Sequence, residues 1–172
     1  MKNYKLTMLF SVLLAFLVGC NSKGTVENQL FNTTASRDGK IGATTISAVL
    51  NWHMVTLLKD NNTKQISVLY ANDEAFKAVK QGTGQYNVGA VLAMVHWLEK
   101  PDIHWFGADI PGEITSIDQV SFATDGKNSP KPNLTTFIKR KSGFKEVLTP
   151  DTLLVQKTTN FILSLRRPYL PD

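Results

Sequence analysis

The chain has 172 residues, enough to bury a sizeable core and short enough for a single domain. Its 19 basic and 14 acidic residues give a formal net charge of +5, but the basic residues are scattered, which is not the signature of a nucleic-acid-binding protein. The only cysteine, Cys20, excludes a disulfide within the chain, a C-x-x-C-H haem attachment and a cysteine-based zinc site.

The N-terminus has the pattern of a secretory signal. Lys2 and Lys5 precede an apolar run from Leu6 to Val18, which is shorter than the ~20 apolar residues that a membrane-spanning helix needs. The run ends in the letters LVGC, of which the last is Cys20. This stretch resembles a bacterial lipoprotein signal with its lipobox.

The resemblance implies that residues 1–19 are removed and that Cys20 carries the acyl chains that hold the mature chain on the bilayer. Removal of Lys2 and Lys5 would lower the net charge to +3. We therefore expect a periplasm-facing protein of the cell envelope, and Asn21 after the cysteine favours the outer membrane. The alternative is an uncleaved N-terminal helix with a buried cysteine.

The segment after Cys20 is rich in Asn, Ser, Thr and Gly. Such a composition buries little apolar surface, so residues 20–43 are predicted to be a lipidated cysteine with a flexible tether. The folded domain is predicted over residues 44–172.

Taken in order, the apolar periodicity of the domain predicts a series of strands. They are expected over residues 51–58, 65–70, 89–98, 103–110, 114–123 and 134–140. The first two form a hairpin, and the third is apolar on both faces and therefore central. Turns are expected at residues 99–102, at Pro111-Gly112 and over residues 124–133.

Two helices are predicted beside these strands. The first covers about residues 73–81, with Asn72 or Asp73 as its N-cap and Gly82 as its left-handed stop. The second covers about residues 150–166, with Thr149 as its N-cap and Pro150 at its first position. The fold class is therefore α+β: an antiparallel sheet with both helices packed on it.

Three stretches resemble the cytochrome P-460 family. They are ISVLYANDEAFKA, GQYNVGAVLAMVHW and DIHWFGADIPGEITSIDQVSF, which together cover roughly residues 50 to 125. The third stretch, with His104 to Gly112, is the specific part.

The resemblance implies a periplasmic, mostly antiparallel α+β domain that is often a homodimer. Haem-bearing members resemble cytochromes that transform hydroxylamine or nitric oxide, with haem held by C-x-x-C-H and cross-linked to a lysine. This chain lacks that motif, and none of its lysines can be matched to the cross-linking one. It resembles a haem-less, lipid-anchored branch, for which no cofactor is expected.

The three tryptophans each neighbour a histidine. If the 99–102 turn is centred between Lys100 and Pro101, Trp97 faces His104 and His96 faces Trp105. Each face of the sheet would then hold one cross-strand His–Trp pair, which stabilises a sheet by ~0.2–1 kcal/mol. His96 and His104 would point to opposite faces, which argues against a two-histidine metal site.

Three functions remain open from the sequence. The first is binding of a small ligand or a partner protein, with His104, Trp105, His96 and Trp97 as candidate ligand-binding residues. The second is a redox enzyme that holds non-covalent haem or a metal through His104 or His96. The third is a structural envelope lipoprotein.

Four acidic residues lie close together in the sequence: Asp102, Asp109, Glu113 and Asp118. Paired carboxylates can act as an acid and a base. Turns and a solvated strand face explain these positions more simply, so no catalytic residue is assigned.

Overall fold

A computed structural model describes residues 39–124, 126 and 129–165 of the chain. Its strands are β1 (Lys40–Ile41), β2 (Thr44–Thr45), β3 (His53–Asp60), β4 (Gln65–Ala71), β5 (Val91–Pro101), β6 (Asp109–Ala123), β7 (Lys131–Arg140) and β8 (Gly143–Val147). Its helices are α1 (Ile46–Leu50), α2 (Asp73–Gln81) and α3 (Thr152–Ser164). None of the helices in this part of the chain is long and apolar enough to cross a bilayer.

The main sheet is an antiparallel meander. Its six strands lie side by side in the order β3-β4-β5-β6-β7-β8, so every strand pairs with its neighbour in the sequence. β1 and β2 form a separate two-stranded ribbon. The predicted α+β fold class is confirmed, and the 51–58 and 65–70 hairpin is confirmed as β3 and β4.

Side chains alternate along each strand, so each strand places residues on both faces of the sheet. Apolar residues pack on both faces, and both are therefore buried. The first face, which carries Leu69, Leu92 and Val120, packs against α2 and the Ile162 side chain of α3. The second face, which carries Val68, Val95 and Ile117, packs against α1 and the Ile41 side chain. The predicted central strand is confirmed: β5 contributes buried residues to both faces.

The N-terminal boundary of the fold precedes the predicted one. Ile41 is only 1% exposed and lies in the second-face core, and β1 pairs with β2. Residues 40–43 therefore belong to the domain and not to the tether, because an apolar side chain is buried there. The predicted signal peptide, Cys20 and most of the tether lie outside the described residues.

The first predicted helix is confirmed as α2, and its ends have the predicted chemistry. The Asn72 side chain accepts a hydrogen bond from the amide of Ala75, and Asp73 and Glu74 occupy the first turn. Gly82 ends the helix in the left-handed conformation, with φ of 66°.

The second predicted helix is confirmed in place but begins later. α3 starts at Thr152, and its N-cap is Asp151, whose carboxylate accepts from the amides of Leu153 and Leu154. The predicted cap, Thr149, was wrong because the capping carboxylate lies two residues further on. The leucines at 153 and 154 stay half exposed, whereas Ile162 is buried.

The predicted turn at residues 99–102 is wrong. β5 continues to Pro101, and β6 begins at Asp109, so residues 102–108 form the connecting loop, called the tip loop below. Pro111 and Gly112 lie inside β6 instead of in a turn. The ladder between β6 and β7 starts only at Ser116, so this part of β6 has a free edge, where proline is tolerated.

The last two strands also differ from prediction. β7 begins at Lys131, within the predicted 124–133 loop, and it is not the last strand. β8 follows after a tight turn, where Gly143 has a φ of 106°. Such a φ favours glycine, which explains why the chain can reverse there within a few residues.

Candidate functional site

A line of polar side chains crosses four adjacent strands on the first face. It comprises Ser67 of β4, His96 of β5, Asp118 of β6 and Thr136 of β7, and it is called the polar row below. Each of them is two residues from a side chain of the first-face core, and the two-residue repeat of a strand places it on the same side.

The four side chains of the polar row form one hydrogen-bonded chain. Ser67 Oγ lies 2.7 Å from His96 Nδ1, and His96 Nε2 lies 3.1 Å from Asp118 Oδ2. Thr136 Oγ1 donates to Asp118 Oδ1 at 2.6 Å. The sheet register explains the contacts, because Ser67 is paired with His96, and Asp118 is paired with Thr136.

The direction of each hydrogen bond follows from Asp118. A carboxylate only accepts, so Nε2–H of His96 is the donor to Asp118, and in the tautomer that carries its hydrogen on Nε2 the Nδ1 atom accepts. Ser67 then donates its hydroxyl hydrogen to Nδ1. A carboxylate that orients an imidazole, which in turn faces a hydroxyl, can move a proton between the serine and the ring.

The polar row is neither sealed in the core nor fully exposed. The His96 and Asp118 side chains keep 16% and 18% of their accessible surface. Leu98, two residues beyond His96 on the same strand, is exposed. The row therefore borders a part of the first face that solvent reaches, where a bound molecule could contact it.

Trp97 does not join His96. It is 6% exposed on the second face and packs edge-on against Tyr70, with ring centroids 6.4 Å apart. The Trp97 side chain, a predicted ligand-binding residue, therefore lies in the second-face core.

His104 and Trp105 lie in the tip loop. The loop is closed by the Asp102 amide, which donates to the Ala108 carbonyl at 2.9 Å, and by the Asp102 carboxylate, which accepts from the His104 amide at 2.7 Å. Gly107 supplies the left-handed φ of 78° that the loop needs. Both predicted ligand-binding side chains of this loop are exposed to solvent.

The predicted cross-strand His–Trp pairs do not form. His96 is opposite Ser116, and Trp97 is opposite Ile114. The predicted pairing assumed a turn at Pro101, whereas the hairpin closes several residues later, so every partner moves along β6. His96 and His104 do not converge, because the strand runs five residues, about 17 Å, beyond His96 before the tip loop begins.

The third histidine has a structural role. His53 Nε2 lies 2.8 Å from Asp73 Oδ1, and the His53 ring stacks on Phe76 with centroids 4.2 Å apart. These contacts fix the start of β3 against α2.

An ion cluster lies at the base of the tip loop. Lys59 Nζ is 2.5 Å from Asp109 and 3.7 Å from Glu99, and Lys64 lies 3.9 Å from Glu99. The hydrogen bond from Lys59 lowers the pKa of Asp109, with a further contribution from Glu99, and the same hydrogen bond raises the pKa of Lys59. The cluster therefore ties the β3 end to the β6 start.

The four acidic residues singled out in the sequence have separate partners. Asp102 caps the tip loop, Asp109 pairs with Lys59, and Glu113 pairs with Lys139. The Asp118 side chain is only 18% exposed and has its partners within the polar row. Within the described part of the chain, no group of three or more His, Cys, Asp or Glu residues could hold a metal ion.

Ser67 and Thr136 were not predicted to belong to a site, and Asp118 was assigned to a solvated strand face. The signal that could have found them is a single polar residue at an inward position of an otherwise apolar strand, as in QISVLY and VLAMVHWL. The cross-strand register was needed to see that these positions meet.

An antiparallel meander with helices on its faces defines an α+β domain class, and one family model identifies it further. Residues 49–131 match the family described as Cytochrome P460, from the end of α1 to the first residue of β7. The chain therefore contains a cytochrome P460-like domain, and the resemblance seen in the sequence is confirmed. No curated protein matches the chain.

The family name implies haem, and the residues present can be tested for it. Covalent attachment needs a C-x-x-C-H motif, whereas Cys20 is the only cysteine. Both ring nitrogens of His96 are engaged, at 2.7 and 3.1 Å, and His53 Nε2 is engaged by Asp73. These residues do not fit a covalently attached haem, and His96 could bind iron only by giving up one of its hydrogen bonds.

Proposed function

We propose that this protein is held at the cell envelope by lipid on Cys20, and that its cytochrome P460-like domain lacks covalent haem and binds a small polar ligand at the polar row. The anchor is supported by the basic start, the apolar run and the LVGC letters that end at Cys20. On the same grounds the domain faces the periplasm, and Asn21 after the cysteine favours the outer over the inner membrane.

The ligand site is carried by one observation. His96 is held between Ser67 and Asp118, and all three are hydrogen-bonded on a face that solvent reaches. A sheet needs no such chain for its stability, because an apolar residue would fill the same positions without the cost of desolvating a carboxylate.

The chemistry of the row defines the class of ligand. Ser67 Oγ has lone pairs left to accept a hydrogen bond, and its hydroxyl can turn from His96 toward a ligand. Leu98 beside it offers an apolar contact. The row thus suits a small molecule with a polar head and a short apolar part.

A thermal-shift screen of small polar metabolites tests this site on the full chain. Compounds that raise the melting temperature are retested on His96→Gln, with His53→Gln as the matched control, since His53 also pairs with a carboxylate. We expect the shift to disappear in His96→Gln and to persist in His53→Gln. A shift that survives in His96→Gln would place the ligand elsewhere.

The redox alternative is separated by titration with haem. A stoichiometric Soret band that disappears in His104→Ala would support non-covalent haem at the tip loop. A colourless, metal-free protein with unchanged folding would remove that alternative. A structural lipoprotein predicts that no compound of the screen shifts the melting temperature.

The anchor has its own test. We expect Cys20→Ala to leave the precursor without lipid, with a larger mass than the processed wild type, and to lose membrane fractionation. An identical mature mass and identical fractionation would refute the proposed anchor.

A further inference from the structure

The tip loop exposes three large apolar side chains. Ile103, Trp105 and Phe106 are 65%, 71% and 110% exposed. The loop nevertheless has a defined shape, because the Asp102 and Ala108 amides donate within it and Asp102 caps it. Two adjacent aromatic rings held in water by a fixed backbone indicate a contact surface.

The tip loop is also the most projecting part of its end of the sheet. Asp109 lies seven residues beyond Ser116 on β6, whereas β7 ends at Arg140, two residues beyond the Ile138 that pairs with Ser116. The difference places the tip loop about 17 Å beyond the β7–β8 turn. Any flat surface that meets this end of the domain touches the loop first.

The chain from the proposed anchor reaches the domain at the same end. The Cβ position of Gly39 lies 3.3 Å from the Phe144 ring, and Phe144 is next to Gly143, which closes the β7–β8 turn. Cys20 is 19 residues before Gly39, so even a fully extended chain spans roughly 65 Å. The domain is thereby confined near the bilayer, with the tip-loop end nearest to its tether.

Exposed charges of both signs lie at this end of the sheet. Lys64, Lys100, Arg140 and Lys141 are basic, whereas Asp60 and Glu113 are acidic, so the basic side chains outnumber the acidic ones among these exposed positions. Basic side chains near a membrane surface are attracted by its negative potential, and tryptophan prefers the headgroup level.

The size of the surface also favours a bilayer over a second copy of the chain. Three side chains expose on the order of 500 Å², whereas a stable protein interface buries ~800 Å² on each partner. A small contact suffices when an anchor already supplies a high local concentration.

We propose that Ile103, Trp105 and Phe106 insert into the headgroup region of the bilayer that holds Cys20, so that the domain docks tip-first on its own membrane. This inference rests on the proposed lipid anchor. It would orient the polar row relative to the bilayer.

The test uses the acylated full chain in vesicles of phosphatidylethanolamine and phosphatidylglycerol with brominated acyl chains, which quench nearby tryptophan. The emission of Trp105 is obtained as the difference between wild type and Trp105→Phe. We expect this emission to shift to the blue and to be quenched. The matched control is Trp105→Phe with Val88→Trp, because Val88 is exposed just before β5 starts, at the opposite end; its tryptophan should stay unquenched.

The outcomes separate the loop from the anchor. Acylated protein that sediments with the vesicles but shows unquenched Trp105 overturns the inference and leaves the anchor intact, as does equal quenching at position 88. If mass analysis shows no acylation, the proposed lipid anchor is refuted. The quenching of Trp105 is then measured on the unacylated chain with excess vesicles, and an unquenched Trp105 would overturn the proposed insertion of the tip loop. A blue shift of Trp105 with protein concentration and no vesicles, together with sedimentation as a dimer, would assign the surface to a second copy and overturn the inference.

Discussion

Asp118 is the residue on which the polar row depends, because it accepts from both neighbours. Thr136 donates to one of its oxygens and His96 to the other. Loss of either donor leaves a half-buried carboxylate with an unsatisfied lone pair. This costs more free energy of unfolding than the loss of a hydrogen bond between neutral groups does. The row is thus a set of positions that tolerate substitution poorly.

Thr136→Val tests this dependence. We expect it to lower the free energy of unfolding by about 1 to 2 kcal/mol, because it removes the hydrogen bond to Asp118 while keeping the side-chain shape. Thr135→Val is the matched control on the opposite face, with an expected change within about 0.5 kcal/mol. Urea denaturation measures both. Equal losses for the two variants would contradict a special role for Thr136.

The Lys59–Asp109 pair predicts how the stability of the fold changes at acid pH. The pKa of Asp109 is lowered below 3.8 in the folded chain, first by the hydrogen bond from Lys59. A lowered carboxyl pKa stabilises the fold above that pH, and the stabilisation is lost as the pH falls through the folded value. The effect is small because the pair is solvent-screened.

Lys59→Met should therefore reduce the difference in stability between neutral pH and pH values below 3.8. Without the hydrogen bond from Lys59, the pKa of Asp109 would lie closer to its usual value, so less stability would be lost on acidification. Melting temperatures measured from neutral pH to values below 3.8 report the effect. Lys100→Met is the control, because Lys100 is an exposed lysine at the same end of the sheet. A pH profile of Lys59→Met that parallels the wild type would rule out this coupling.

At the level of the elements, one side chain, that of Asn72, hydrogen-bonds both to α2 and to the start of β5. Asn72 accepts from the amides of Ala75 and Val91 and donates to the carbonyl of Gly89, at 2.9 to 3.0 Å. It acts as a helix cap and as a clamp on the strand that follows. This explains how the helix keeps its place on the first face although the connection to β5 has little regular structure.

Asn72→Ala should cost about 2 kcal/mol of unfolding free energy, since the cap and the clamp disappear together. Asn72→Asp should cost less, because a carboxylate still accepts from both amides but cannot donate to Gly89. Thr45→Ala, which removes only the 3.2 Å cap of α1, serves as the comparison. Chemical denaturation of the three variants gives the order, and an Asn72→Ala cost no greater than that of Thr45→Ala would disprove the clamp.

For the whole molecule, the decisive feature is that one sheet carries two cores. Leu92 lies in the first-face core and Ile117 in the second-face core, and both are fully buried. The same strands, β5 and β6, contribute to both. The two cores should therefore unfold together, as in most small domains.

Leu92→Ala and Ile117→Ala test this cooperativity. We expect each to cost about 2–5 kcal/mol and to shift a single transition. Tryptophan fluorescence, which includes the Trp97 of the second-face core, and far-UV circular dichroism should coincide in both variants. Separate transitions by the two probes would show that the faces unfold independently.

The sequence by itself determined the local structure of this protein where short-range chemistry decides. The α2 helix follows from Asn72 and Gly82, and the β3–β4 hairpin and the central position of β5 follow from apolar periodicity. The resemblance to the family rested on residue order in the tip loop and β6, and the family match confirms it. These features depend on neighbours within a few residues.

Only the tertiary structure decided which side chains meet. A hairpin loop centred on Trp105, instead of between Lys100 and Pro101, changes every partner on β6, and a one-residue slip reverses the faces of a strand. The polar row joins residues from four strands, and Ser67 and Thr136 are 69 residues apart in the sequence. Registers of that kind are set by packing of the whole sheet, so only the folded chain distinguishes His96, which belongs to the polar row, from the exposed His104.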